Sequence, residues 1–249
     1  MTLSDAELDR YARHIVLPQV GGVGQRKLKD ASIAVIGAGG IGSAVIPALA
    51  GAGIGRLTII DDDVIEIANL HRQPLFRERD AGHGKAELAT QFVKRLNRYV
   101  EVRQVQDRIG ADNAGTMLAD HDLVIDGSDN FATRLAVSDA CVRLDTPLLS
   151  AAAVQFQGQV GLFRSRPCYR CFVGDAFDAD DCDNCAELGV LGALTATIGS
   201  FAALLAINTI VGISENQAGK LHLFDGERLS WRAINIPADP QCRACGAGR

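Results

Sequence analysis

The sequence predicts an α/β fold: a mostly parallel sheet with helices on both faces, extended by antiparallel strands towards its C-terminal end. Three observations carry this. Short apolar runs alternate with helical patterns through residues 31–150, as strands joined by crossover helices do. The first run ends in Gly37-Ala-Gly39-Gly40-Ile-Gly42, a glycine turn that opens a helix of small residues, which makes the arrangement Rossmann-like. Beyond residue 150 the strand-like runs follow one another without crossover helices.

The elements follow in order. The first sixteen residues read as one amphipathic helix within an N-terminal helical arm, 1–30. Apolar runs place strands at 32–37, 57–61, 101–106, 122–126 and 147–151. Helical spacing places helices at about 41–52, 84–97, 111–119 and 130–143, with Asp112 and Asn130 at N-cap positions. Residues 158–163, 221–224 and 230–236 read as the antiparallel extension. Between them lie an acidic loop, 174–184, and an apolar helix, 194–211. The stretch 188–213 has no charged residue and is long enough to span a bilayer. Glycines at 189, 192, 199 and 212, polar Thr195, Thr197, Ser200, Asn208 and Thr209, and the lack of an aromatic belt argue for a buried helix instead. One domain, 1–249, is expected, with 31–150 as a nucleotide-binding core and 151–249 as a second half.

Composition narrows the class. The chain has 249 residues, 47% of them hydrophobic, and a net charge of −5, with pI near 5.5. Nothing here favours nucleic acid or an anionic membrane as partner. The polar start Met1-Thr-Leu-Ser-Asp5 is not a signal peptide, and a cytoplasmic protein is expected. Seven cysteines, an odd number, with six of them in CxxC spacings, fit metal or redox sites in a reducing compartment better than disulfides.

The glycine turn permits close approach of backbone to phosphate at a helix N-terminus. Asp61, at the end of the second strand, stands where a ribose-binding acid belongs. The motif alone is weak, since a glycine-packed turn without ligand has the same pattern. So far the chain resembles an NAD site. Asp63, Asn69, Arg72, Gln73 and Lys85 follow, and a nicotinamide site does not need them. Arginine suits bidentate phosphate contact and lysine supplies a point charge, which points to the longer phosphate chain of ATP. Asp126-Gly-Ser-Asp129-Asn130 closes a predicted parallel strand, the edge where such sheets bind ligands. A carboxylate there can hold Mg²⁺ against phosphates, or serve as a helix cap.

Cys168-Tyr-Arg-Cys171 and Cys242-Arg-Ala-Cys245 form two CxxC pairs, the composition of a closed tetrahedral zinc site. Cys182 and Cys185 repeat the spacing in Asp180-Asp-Cys-Asp-Asn-Cys185, so the partition is not unique. Their acidic surroundings raise a thiol pKa, yet Cys185 could still act as an exposed nucleophile. Cys141 falls mid-helix and reads as core.

Together these motifs resemble the MoeB/ThiF family, the bacterial relatives of ubiquitin-activating enzymes. The resemblance rests on Arg10-Tyr-x-Arg13, Gly37-x-Gly-Gly-x-Gly42, Asp61-x-Asp63, Asn69-Leu-x-Arg72-Gln73, Gly84-Lys85, Asp126-x-x-Asp129-Asn130, Cys168-Tyr-x-Cys171, Cys185-Ala-Glu-x-Gly-Val and Cys242-x-x-Cys245. It implies an ATP-dependent adenylyltransferase acting on the C-terminal Gly-Gly carboxylate of a ubiquitin-fold sulfur-carrier protein, for molybdopterin, thiamine or related biosynthesis. Residues 151–249 would form the carrier-protein and zinc half. The resemblance implies that Gly37, Gly39, Gly40, Gly42 and Asp61 hold the nucleotide, with Asp63, Asn69, Gln73 and Asn130 nearby. Arg72 and Lys85 would bind phosphates and Asp129 Mg²⁺. Arg13 would reach the phosphates of a neighbouring subunit, so a homodimer is expected. Cys185 occupies the position that forms a covalent link to the carrier in some members. No rhodanese-like segment follows Cys245, so a separate sulfur donor is expected. Cys182, the acidic loop and the missing proline after Gly192 depart from the family pattern. An NAD-dependent oxidoreductase and a non-catalytic nucleotide-binding scaffold are the competing readings.

Overall fold

The computed structural model describes residues 2–174, 189–213 and 217–246. Eight strands form one sheet in the order β3-β2-β1-β4-β5-β6-β7-β8. β1 (Ser32–Ile36), β2 (Arg56–Ile60), β3 (Glu101–Val105), β4 (Leu123–Asp126) and β5 (Leu148–Val154) are parallel. β6 (Gln157–Phe163), β7 (Lys220–Asp225) and β8 (Ser230–Asn235) add on antiparallel. The helices are α1 (Asp5–Arg10), α2 (Ala12–Ile15), α3 (Gly21–Asp30), α4 (Gly42–Ala52), α5 (Lys85–Leu96), α6 (Ala114–Leu118), α7 (Phe131–Leu144), α8 (Tyr169–Val173) and α9 (Gly192–Val211).

Period-two alternation divides the core. Ile33, Val35, Leu123 and Ile125 face one side of the sheet, where Val45, Leu49, Ala89, Val93, Ile198 and Ala202 cover them. Ala34, Ile36 and Val124 face the other, under Leu118, Leu135, Val137 and Tyr169. Both faces of β1 and β4 are therefore buried, which is why these strands are apolar throughout rather than alternating. α9 is long and apolar enough to cross a membrane, and half of it is buried inside the fold. Its Gly199 lets it lie directly on α4: a Cβ there would come within 2.6 Å of the Ile41 carbonyl oxygen.

The predicted strands and the sheet's change of direction after β5 stand. Two local expectations are corrected. The first sixteen residues do not form one helix. α1 stops at Arg10, and Tyr11, turned out of helical geometry, buries its ring in the core. Its hydroxyl accepts a bond from Asn97 Nδ2 at 2.8 Å. The helix expected at 111–119 shrinks to Ala114–Leu118, with Asn113 rather than Asp112 at its N-cap position. The Asn113 side chain turns back to accept the Gly110 N–H at 2.8 Å, a local bond that competes with helix. Asn130 does cap α7, accepting the Thr133 N–H at 2.8 Å.

Candidate active site

The strand order reverses between β1 and β4, whose carboxyl ends lie side by side. In such sheets the crevice at this switch point takes the ligand. The Gly37 turn leaves β1 here with φ 87°, a left-handed conformation that favours glycine. Gly42 closes the turn so tightly that a Cβ would collide with the Gly37 carbonyl. Across the crevice Gly37 packs on the Gly127 and Ser128 backbone, 3.1–3.4 Å from where its Cβ would be. Gly39 faces the Gln73 carboxamide, and Gly40 faces Thr195 of α9.

Asp61, at the end of β2, ties that strand to the glycine turn. Its carboxylate accepts the Ala38 N–H at 2.6 Å and the Asp63 N–H at 2.9 Å. Burial pushes its carboxyl above the usual range, while the Ala38 N–H and the charge of Lys85 pull it down. Lys85 is the first residue of α5 and 5% exposed. Its ammonium lies 2.8 Å from the solvent-exposed Asp63 carboxylate. The two cannot separate freely, because the Lys85 N–H also bonds the Asp63 carbonyl at 3.0 Å. Asn69 ends a short 3₁₀ turn, Ile67–Asn69, and its side chain holds Arg72 by an Nη2–Oδ1 bond of 3.0 Å. The Arg72 Nη1 also lies 2.9 Å from His71 Nε2. The N-terminus of α9 abuts this loop: a Cβ on Gly192 would collide with the His71 carbonyl.

Several polar atoms here are buried without a partner: Gln73 Oε1, Ser128 Oγ and Asp126 Oδ2. Ser43, Thr90 and Ser138 also carry unmatched buried hydroxyls, but three such atoms fall together around this crevice, which suits a polar ligand. The backbone N–H groups of the glycine turn, with Arg72 and Lys85, suit a polyanion, whereas the orphaned Gln73 Oε1 and Asp126 Oδ2 are acceptors and call for donor groups. Asp129 is exposed at the lip, next to the fully buried Asp126, whose Oδ1 accepts the Ser128 N–H at 2.9 Å. A carboxylate of that kind fits a hard, oxygen-seeking cation such as Mg²⁺.

The second site is distant in sequence and closed in space. The four sulfurs of Cys168, Cys171, Cys242 and Cys245 lie within 4.8 Å of one another. Cys168 and Cys242 are 3.6 Å apart, and Cys171 and Cys245 are 3.4 Å apart. Tetrahedral zinc with Zn–S bonds of about 2.3 Å requires sulfurs roughly 3.8 Å apart, so the residues fit that ion. Cys141 is core, and burial pushes its thiol up to about 12. Cys182 and Cys185 lie outside the described residues.

The structure brings Gly37, Gly39, Gly40, Gly42, Asp61, Asp63, Asn69, Arg72, Gln73, Lys85, Asp129 and Asn130 to one sheet edge and its loops. Arg13 is exposed on α2, in the N-terminal arm. Sequence reasoning missed Arg134. This arginine, 6% exposed, donates to the Ser128 carbonyl, to Ser150 Oγ at 3.3 Å and to the Ala151 carbonyl at 3.2 Å. No amphipathic stripe marked it, because α7 is buried on all sides from Thr133 to Ser138.

Comparison with known proteins agrees with this geometry. A sulfur carrier protein adenylyltransferase of Thermus thermophilus is 42% identical, over 99% of this chain and 93% of its own length. The adenylyltransferase and sulfurtransferase MOCS3 of Culex quinquefasciatus is 42% identical over 98% of this chain, which spans 56% of that longer protein. A crystal structure of E. coli MccB with ATP superposes with a TM-score of 0.84 at 25% identity, over 98% of this chain and 75% of that one. The model of the ThiF family matches residues 11–244. A match across nearly the whole chain, supported by a full-length relative, places this protein in the ThiF family.

Proposed function

We propose that this protein, as one adenylation domain over 1–249, uses ATP to adenylate the C-terminal carboxylate of a small ubiquitin-fold sulfur-carrier protein. The observation that carries the reading is the crevice at the β1–β4 switch point. A glycine turn, a buried lysine and an oriented arginine support it. The near-full-length relative named for this activity supports it.

The chemistry suits these residues. A carrier carboxylate is ionised near pH 7 and needs no general base. Its oxygen attacks the α-phosphorus, the bond to the bridging oxygen breaks, and pyrophosphate leaves with the electron pair. Positioning and charge therefore decide the barrier. The glycine turn and Asp61 would seat the nucleoside end. Arg72 and Lys85 would meet the phosphates, each already oriented by Asn69 and Asp63. Asp129 would hold Mg²⁺, which would neutralise phosphate charge. The four-cysteine cluster would hold structural Zn²⁺, closed to water. Arg13, exposed and away from its own crevice in sequence, would complete the site of a second subunit in a homodimer. Cys185 rests on resemblance alone and enters no step. A separate protein would donate sulfur, and the whole would act in the cytoplasm without nucleic acid or membrane.

The NAD reading leaves Arg72 and Lys85 unused. The test is carrier-dependent exchange of labelled pyrophosphate into ATP with Mg²⁺ and a panel of ubiquitin-fold carriers. Arg72→Ala and Asp129→Ala should each cut exchange by about 10²-fold or more with the melting temperature retained. ATP binding without exchange for every carrier would instead favour a scaffold. Elemental analysis should find zinc.

A further inference from the structure

Arg134 has a position that the proposed chemistry does not use directly. Asp129 is the only residue between two pinned neighbours. On one side the Ser128 carbonyl accepts from Arg134, and the Ser128 N–H is held by Asp126. On the other side Asn130 caps α7 through Thr133. The Asp129 carboxylate is exposed, while every group that fixes its backbone is fully or partly buried. Arg134 also binds β5 through Ser150 and Ala151, so one guanidinium joins the loop, α7 and β5. Asp126, fully buried and with one oxygen unpaired, supplies the counter-charge that keeps Arg134 ionised against its own burial.

We infer that Arg134 is a positioning residue that aims Asp129 at its metal ion. The inference rests on the proposed role of Asp129 as the Mg²⁺ ligand. It predicts that losing the guanidinium fork weakens Mg²⁺ binding without touching the carboxylate that holds the ion.

The test is a Mg²⁺ titration of binding of a fluorescent ATP analogue to the intact protein, without carrier, alongside thermal melting. Arg134→Lys keeps the charge and loses the fork. It should raise the half-saturating Mg²⁺ concentration by about tenfold, the range seen when groups that orient metal ligands are removed. The shift should disappear in an Asp129→Asn background. Ser150→Ala, which removes the hydroxyl that accepts from Arg134 at 3.3 Å, should raise the midpoint in the same direction. A folded Arg134→Lys with an unchanged midpoint overturns the inference. If Arg134→Lys fails to fold, an unchanged midpoint in Ser150→Ala overturns it equally. A purely structural role lowers the melting temperature and leaves the midpoint alone. Mg²⁺-dependent binding with these shifts but no carrier-dependent exchange would sink the proposed function and leave the inference standing. Wild type that binds no nucleotide at any Mg²⁺ concentration sinks both.

Discussion

Lys85 shows how a single residue acquires its role. By sequence it is one of 25 Lys and Arg residues, and most such residues are solvated. Here it begins α5 beneath the crevice, with 6% of its side chain exposed and Asp63 as its partner. Desolvation strengthens its field at the site, since interactions are larger in a low-dielectric environment. Lys85→Met should keep the fold and reduce carrier-dependent exchange by about 10²-fold or more, read as turnover at saturating ATP. Glu7 gives a different lesson at the same scale. Burial works to raise its carboxyl, but Lys29 and Ser4 outweigh that and hold it below the usual carboxylate range. It closes a capping box on α1 and pairs with Lys29 at 2.7 Å. A depressed carboxyl contributes stability above its unfolded pKa and loses it as pH falls through the folded value. Glu7→Gln should therefore cost about 1 kcal/mol in urea denaturation at pH 7. That difference should vanish once acid protonates Glu7 in the wild type.

At the scale of elements, α9 decides most. Its sequence passes a membrane test by length and apolarity. Packing overrides that reading, because glycines let it lie against neighbouring backbone. At Gly199 the Ile41 carbonyl and the Ala44 methyl leave no room for a side chain. Gly199→Ala should destabilise by roughly 1–3 kcal/mol through overpacking, although alanine is the better helix former. A rise in denaturation midpoint would show that the two helices have slack. The N-terminus of α9 also backs the Arg72 loop at Gly192, so the same helix supports both core and site. The strands were legible from apolar runs and the helices from their spacing. The arm was not, because amphipathic periodicity continues through Tyr11 while burial of that one ring breaks the helix. α6 was overextended because Asn113 satisfies Gly110 instead of its own helix.

At the scale of the whole molecule, the crevice holds its glycine turn, cations and carboxylate within one chain, while Arg13 stands exposed on the arm. If Arg13 serves a partner's crevice, two defects on different protomers can complement. Arg13→Ala and Lys85→Met should each be inactive alone. Mixed and re-equilibrated at equal amounts, they should recover about a quarter of wild-type exchange, because half the dimers carry one intact site of two. No recovery on verified subunit exchange would confine Arg13 to its own protomer.

The sequence by itself determined the glycine turn, the parallel core, the antiparallel extension, the likeness to adenylating enzymes and the four cysteines. These are local patterns of spacing and residue type, and local patterns survive without coordinates. The tertiary structure alone decided that the two CxxC pairs close on each other and that Arg134 pins Ser128. It also decided that Gln73, Ser128 and Asp126 leave polar atoms unmatched at the crevice. Each of these depends on which residues distant in sequence share a low-dielectric interior. Burial and partnership belong to pairs of residues, and no single stretch of the chain encodes them.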